Sequence, residues 1–256
     1  MVVLGRHHTI SVLATTTHGV FLHGFLTLLF LQETTCFIIG SLGIIPLDIH
    51  TVAYNLIPTM YMIPLGLSIA LSIRMGHLLS ESVPKAKLLA SVCMGFTVLV
   101  GAAFALILYN LRDVIVGLFT TSPEVIYGCQ QIWGDVCVYI VLLYIFGINS
   151  GILRALGMQW RMAGIVVCVL WLCGIPTVLY VGIHQGGGVT AIWSVLPYFY
   201  AVLDLLLILC YVCADWNAIS QTIQSKKTVD DKKEKEETVH TTFSDVEKPS
   251  EDTPLI

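Results

Sequence analysis

The sequence predicts an all-α integral membrane protein of six transmembrane helices followed by a disordered C-terminal tail. Three observations predict it. The 256 residues are 56% hydrophobic and only 12% charged, with a mean hydropathy of +0.82, whereas soluble domains run about 45–50% apolar and about 25% charged. Of the 30 Asp, Glu, Lys and Arg residues, 16 lie in the last 42 positions, which leaves the first 214 with seven charges of each sign. That body cannot present a solvated surface, so readings of the whole chain as a soluble enzyme are excluded. The net charge of −4 arises in the tail, so there is no basic footprint and no nucleic acid as partner. Finally, six stretches reach the roughly 20 apolar residues that a helix needs to cross the hydrocarbon.

Residues 1–18 form an N-terminal flank, without the small-residue cleavage site of a signal peptide. The first span runs from about Gly19 to Gly43 and is interrupted only by Glu33. The second covers Thr51 to Leu78 and carries Pro58 and Pro64, the third Leu88 to Leu111, and the fourth Gln130 to Leu153. Between Arg161 and Asp204 there is no charge. That stretch is too long for one span and breaks at His184 to Gly188, giving a fifth span at Met162 to Ile183 and a sixth at Val189 to Cys213. The membrane body is therefore 19–216. Residues 217–256 are predicted as a disordered cytoplasmic tail, because from Lys226 onward mixed charge without an apolar stripe cannot offset its ordering entropy. Trp216 is predicted to anchor at the headgroups where the chain leaves the membrane.

The links alternate in charge. Arg74 near the end of the second span and Lys85 and Lys87 after it make that link basic, as do Arg154 and Arg161 between the fourth and fifth, while the other side has Asp48, the Arg112–Asp113 pair and Glu124. The positive-inside rule then puts the basic links and both termini in the cytoplasm. Most of the eight cysteines lie inside apolar runs without a metal-ligand pattern and read as small hydrophobes.

Three acids fall within the spans. Glu33 sits near the middle of the first, among Gln32, Thr34 and Thr35. A charge at the bilayer centre costs about 2.5–3.5 kcal/mol on insertion scales, so it must face protein or water, either as a hydrogen-bond acceptor between helices or as a carboxylate that exchanges a proton for an organic cation. Asp135 lies near the start of the fourth span, within reach of headgroups. Asp204 is mid-span with Tyr198, Tyr200 and Tyr211 on its helix, which reads equally as a polar pocket or as a helix contact. Tyr54, Tyr61, Tyr139 and Tyr144 either line an aromatic cavity for cations or simply pack. Pro58 and Pro64 each remove a backbone donor and mark a hinge or a bend. The terminal Glu251, Leu255 and Ile256 fit an acidic dileucine sorting motif of the kind clathrin adaptors read as extended peptide.

Several motifs are then familiar in combination. Tyr61 to His77 (YMIPLGLSIALSIRMGH) resembles the P-x-G-x-S-x-A-x-S-x-R-x-G-N signature of the multidrug and toxin extrusion (MATE) family. Leu42-Gly43 and Thr51 to Asn55 are similar to the loop and helix start upstream of it, Leu118 to Val125 (LFTTSPEV) to its L-F-T-x-D-x-x-V element, and Ser150 to Gln159 (SGILRALGMQ) to its G-x-x-R-G-x-G-x-Q turn. Pro176, Gly186 to Gly188 with Ile192 to Ser194, and Asp215-Trp216 continue the match over Leu22 to Trp216.

The resemblance implies two six-helix lobes around a cleft, of which this chain carries the C-terminal one. It implies a secondary antiporter that exports organic cations and other xenobiotics, needs no cofactor, and exchanges them for protons or sodium ions. Glu33 matches the family's acid on the first helix of this lobe. Asn55 stands where a second acid is expected, with Tyr54 beside it, and a third acid falls near Leu143. His77 replaces an Asn and Ala155 a Gly. A missing N-terminal lobe or a second copy would have to close the cleft, unless the chain is an incomplete gene product. The membrane expected is plasma or vacuolar/lysosomal. The competing classes are a lipid-linked oligosaccharide flippase, disfavoured by the absence of Lys and Arg from the middle of the spans, and a non-transporting scaffold or receptor.

Overall fold

The computed structural model describes residues 33–225, which are helical almost throughout. Most of the first predicted span therefore lies outside the described residues, as do the 1–18 flank and the tail from 226 with Glu251, Leu255 and Ile256. The end of that span, 33–40, is helical and is named α1. It is followed by α2 (Ile44–Glu81), α3 (Val83–Asn110), the short α4 (Arg112–Phe119) and α5 (Pro123–Ala155). Then come α6 (Gln159–His184), α7 (Gly188–Val212) and a last helix, α8, over 216–225. Five of these, α2, α3, α5, α6 and α7, are long and apolar enough to cross a membrane and correspond to the second to sixth predicted spans. The chain is an all-α, multi-pass integral membrane protein.

The helices overrun the predicted spans because hydropathy measures the lipid-crossing part and not the helix. At 38 residues, α2 is about 57 Å long, well beyond a hydrocarbon core of about 30 Å. It stays helical through Pro58 and Pro64. By contrast α6 is π-helical at Val167–Gly174 and Tyr180–His184, on either side of a short α-turn that starts at Ile175 and contains Pro176, and its sequence shows no sign of this beyond the proline.

Chain reversal depends on glycine at two links. Gly157 (φ 71°) ends α5 in a Schellman motif: its N–H donates to the Arg154 carbonyl at 3.1 Å and that of Met158 to Leu153 at 2.8 Å. Gly186 (φ 66°) and Gly188 (φ 62°) turn α6 into α7, at the break expected from the sequence.

The helix α5 is the axis of the bundle, buried along 78% of its most apolar stretch while its neighbours are buried along less than a third of theirs. Against α2 it presents Gly128, Gly147 and Gly151, on which a Cβ would overlap Ile49, the Pro64 ring (2.9 Å) and the Ser68 carbonyl (2.7 Å). The two backbones approach so closely only because these side chains are absent, the usual solution where lipid supplies no hydrophobic driving force between helices. The Ser68 and Ser150 hydroxyls, 3.2 Å apart, bridge the same seam. Toward α3, the indole N–H of Trp133 donates to the Leu108 carbonyl at 2.9 Å, and Gly101 admits the Tyr144 ring.

Two expectations at the C-terminal end are corrected. The tail does not begin at 217, because 217–225 belong to α8. Asp215 caps that helix, accepting the backbone N–H groups of Asn217 (3.0 Å) and Ala218 (3.1 Å). Ser220 then donates to the Leu79 carbonyl and the Gln224 amide to that of Ser80, tying α8 to the end of α2. Nor is Trp216 a freely exposed anchor: it is 6% exposed, donates to the Tyr211 carbonyl at 2.7 Å and lies under the Lys87 ammonium. Composition misses both points because a short polar helix held by side-chain to backbone bonds has no hydrophobic signature.

Three substitutions test this packing. Gly151→Ala forces a methyl against the Ser68 backbone and should cost about 1–3 kcal/mol, seen as a clear drop in thermal stability in detergent. Gly164→Ala on α6, where nothing lies within 4 Å of the added methyl, should leave stability equal or higher. Asp215→Ala removes the cap, worth about 1 kcal/mol, and should raise amide hydrogen exchange in 216–225 while leaving α5 protected.

Candidate functional site

Of the sequence-predicted residues, Glu33 and Tyr54 meet directly. The Tyr54 hydroxyl donates to Oε1 of Glu33 at 3.3 Å, joining α1 to α2 on an exposed surface. Asn55, the next residue, is exposed. Asp204 is elsewhere, at the buried contact of α7 with α5. It is 3% exposed, and its Oδ1 accepts the Asn149 amide at 2.9 Å.

A row of rings connects the two places. Tyr54 stacks on His50, with centroids 5.7 Å apart and planes inclined at 27°. His50 lies 5.6 Å from Trp193, Trp193 meets Tyr139 edge-on at 5.9 Å, and Tyr139 meets Tyr200 edge-on at 4.7 Å. Tyr200 sits one turn before Asp204 on α7, with Phe146 closing the row at 6.2 Å. His50, Trp193, Tyr139 and Tyr200 are each at most 3% exposed. Four helices supply this track: Glu33 from α1, Tyr54 and His50 from α2, Tyr139 and Asn149 from α5, and Trp193, Tyr200 and Asp204 from α7.

The track is apolar in bulk but carries unspent hydrogen-bonding capacity. Among the described residues, both His50 nitrogens, the Trp193 N–H, Asn149 Oδ1 and Asp204 Oδ2 have no hydrogen-bond partner. Buried polar groups are ordinarily paired, and an unpaired one costs about 1–3 kcal/mol. Several of them are concentrated around one row of rings, whose faces are electron-rich.

The remaining predicted residues lie around it. Asp135 stands about three turns inside α5 and is half-buried, because α5 starts seven residues before the predicted span. Tyr198 faces outward at 73% exposure and Tyr61 and Tyr211 are partly buried, while Tyr144 packs on Phe104. Leu143 is buried. Pro58 is exposed, and Pro64 is buried against Gly147. Sequence reasoning did not single out His50 or Asn149, and Trp193 entered it only within the motif run Ile192 to Ser194. Asn149 is an amide in an otherwise apolar stretch, a weak signal, and nothing in the chain links it to Asp204 55 positions away.

Known proteins match this chain in sequence and in fold. The MatE family model matches residues 22–180. Multidrug and toxin extrusion protein 1 of Danio rerio is 29% identical over 188 residues, covering 72% of this chain and 32% of that protein. The protein of the same name from Oryctolagus cuniculus is 28% identical over 162 residues, 63% and 28% of the two chains. The crystal structure of the eukaryotic MATE transporter AtDTX14 has the same fold, with a TM-score of 0.67 at 21% identity over 71% of this chain and 41% of that one. The chain thus spans about a third of the length of these curated relatives. The family match runs over more than half of the chain and the fold agrees with it: this chain belongs to the MatE family.

Proposed function

We propose that this chain serves as the C-terminal lobe of a secondary antiporter that exports organic cations in exchange for protons or sodium ions. The observation that carries the reading is the Glu33–Tyr54 pair at the head of a buried aromatic track that ends on Asp204 and Asn149. A single carboxylate cannot hold a proton and an organic cation at once, so competition for it couples their movements in opposite directions. Glu33 is the exposed, accessible acid and the first choice for that role; Asp204 is the enclosed one. The relatives' name, multidrug and toxin extrusion protein, supports the substrate class.

The other wall of the cleft comes from an N-terminal lobe or from a second copy of the chain. The basic end of the bundle faces the cytoplasm in this reading, with both termini, in the plasma membrane or a vacuolar or lysosomal membrane. The terminal Glu251, Leu255 and Ile256 would direct the protein between those membranes through a clathrin adaptor.

Vesicles with an acidic interior, carrying this chain with a partner lobe or alone, should accumulate labelled tetraethylammonium. Glu33→Gln keeps shape and hydrogen bonding but cannot titrate, and should reduce gradient-driven uptake at least about tenfold without loss of inserted protein. Tyr54→Phe, which only deletes the donated hydrogen bond, should cost about fivefold. Asp204→Asn should cost less than Glu33→Gln; the reverse order would move the exchange site to the buried end of the track. A sodium gradient applied at constant pH distinguishes the coupling ion.

Pro64→Ala restores a backbone donor in the middle of α2, and it should lower turnover more than it weakens substrate binding, because the site of bending serves the exchange between facings. A fall in affinity at constant turnover would instead assign Pro64 to the pocket wall.

A further inference from the structure

The helices α3 and α7 both pack on α5 but stand apart at the end of the bundle where α3 begins and α7 finishes. A cleft of about 350 Å³ lies between them, floored by Ile152 and Trp216 and walled by Ala90 and Met94 on one side and Tyr211 and Val212 on the other. Exposed Leu88, Val92 and Val212 flank it, so its sides face the hydrocarbon. Lys87 stands at the mouth with Ser91 one turn below. The Lys87 ammonium lies 5.5 Å from the Trp216 ring centroid, and no carboxylate of the described residues is in ion-pair contact with it.

The charge of this end is strongly biased. Arg74, Lys85, Lys87, Arg154 and Arg161 are offset there by Glu81 and Asp215, whereas the opposite end has Asp48, Asp113 and Glu124 against Arg112. A groove between membrane-crossing helices is filled by whatever the bilayer supplies, and a basic mouth over an apolar slot suits a molecule with an anionic head and a hydrocarbon chain.

We propose that this cleft binds one anionic phospholipid, its phosphate on Lys87 and Ser91 and one acyl chain between α3 and α7. The aromatic ring beneath the ammonium holds Lys87 over the mouth instead of letting it extend away from the bundle. Binding of this lipid braces α8 as well, because Trp216 is both the floor of the slot and the first residue of that helix. The inference does not depend on the transport reading.

Native mass spectrometry of the full chain, extracted from bilayers of equal phosphatidylglycerol and phosphatidylcholine, tests it. The protein should retain phosphatidylglycerol in preference. Lys87→Gln should reduce that preference about fivefold and Lys87→Arg should preserve it. Lys85→Gln carries the same change of charge two residues away, outside the cleft, and should leave the preference intact. Val212→Trp fills the slot without altering charge and should expel the lipid even if Lys87→Gln proves unstable. Equal retention of the two lipids overturns the proposal, as does an equal effect of the Lys85 and Lys87 variants, which would mean a general surface field. Displacement by inorganic phosphate alone would mean that the acyl chain contributes nothing. A preference that appears only after residues 226–256 are removed would make the acidic tail the occupant, and would equally overturn it.

Discussion

The close approach of α2 and α5 is the constraint from which the rest of the architecture follows. In water the burial of apolar side chains would hold two such helices together, but in lipid that gain is absent, and what remains is dense contact and interhelical hydrogen bonding. Gly128, Gly147 and Gly151 let α5 lie against Ile49, Pro64 and Ser68 at backbone distance, and Ser68 and Ser150 bond across the seam. A methyl group at Gly147 or Gly151 would meet the Pro64 ring or the Ser68 backbone and push α2 outward, whereas at Gly128 it would meet the movable end of the Ile49 side chain. With α2 seated, one face of α5 is committed, and its other faces receive α3 and α7.

That placement brings the polar groups together. Once α5 is central, Tyr139 and Asn149 project from it toward α7 and meet Tyr200 and Asp204, while α2 carries His50 and Tyr54 to Trp193. The same low dielectric that makes these interactions strong makes each unpaired nitrogen or oxygen costly. Apolar residues of similar volume would avoid that cost, so the presence of these groups supports the exchange site proposed above.

The two ends of the bundle differ in the same logic. At the basic end, α8 is held by Asp215, Ser220 and Gln224 through bonds to backbone groups, and Trp216 is buried under Lys87. The prolines also behave according to context: Pro58 and Pro64 sit within an unbroken helix, whereas α6, with a single Pro176, departs into π-helical turns.

By itself the sequence determined the class, the number and order of the long helices among the described residues, the turn at Gly186 to Gly188, the basic side of the bundle and the family, because hydropathy, charge and local motifs act over short stretches of chain. It also marked Glu33, Tyr54 and Asp204 as polar groups in apolar surroundings. Only the tertiary structure decided that Tyr54 bonds Glu33, that Asp204 is held by Asn149, and that His50 and Trp193 join them. Those pairs lie up to 143 positions apart, and which face of each helix turns inward is set by where glycines permit contact, which no single helix records. Asn55 shows the same limit: adjacent to Tyr54 in sequence, it is rotated by a helix's 100° per residue onto an exposed face. The helix at 216–225 and the burial of Trp216 were likewise invisible to composition, since they rest on backbone carbonyls of α2 and α7 whose positions depend on the assembled bundle.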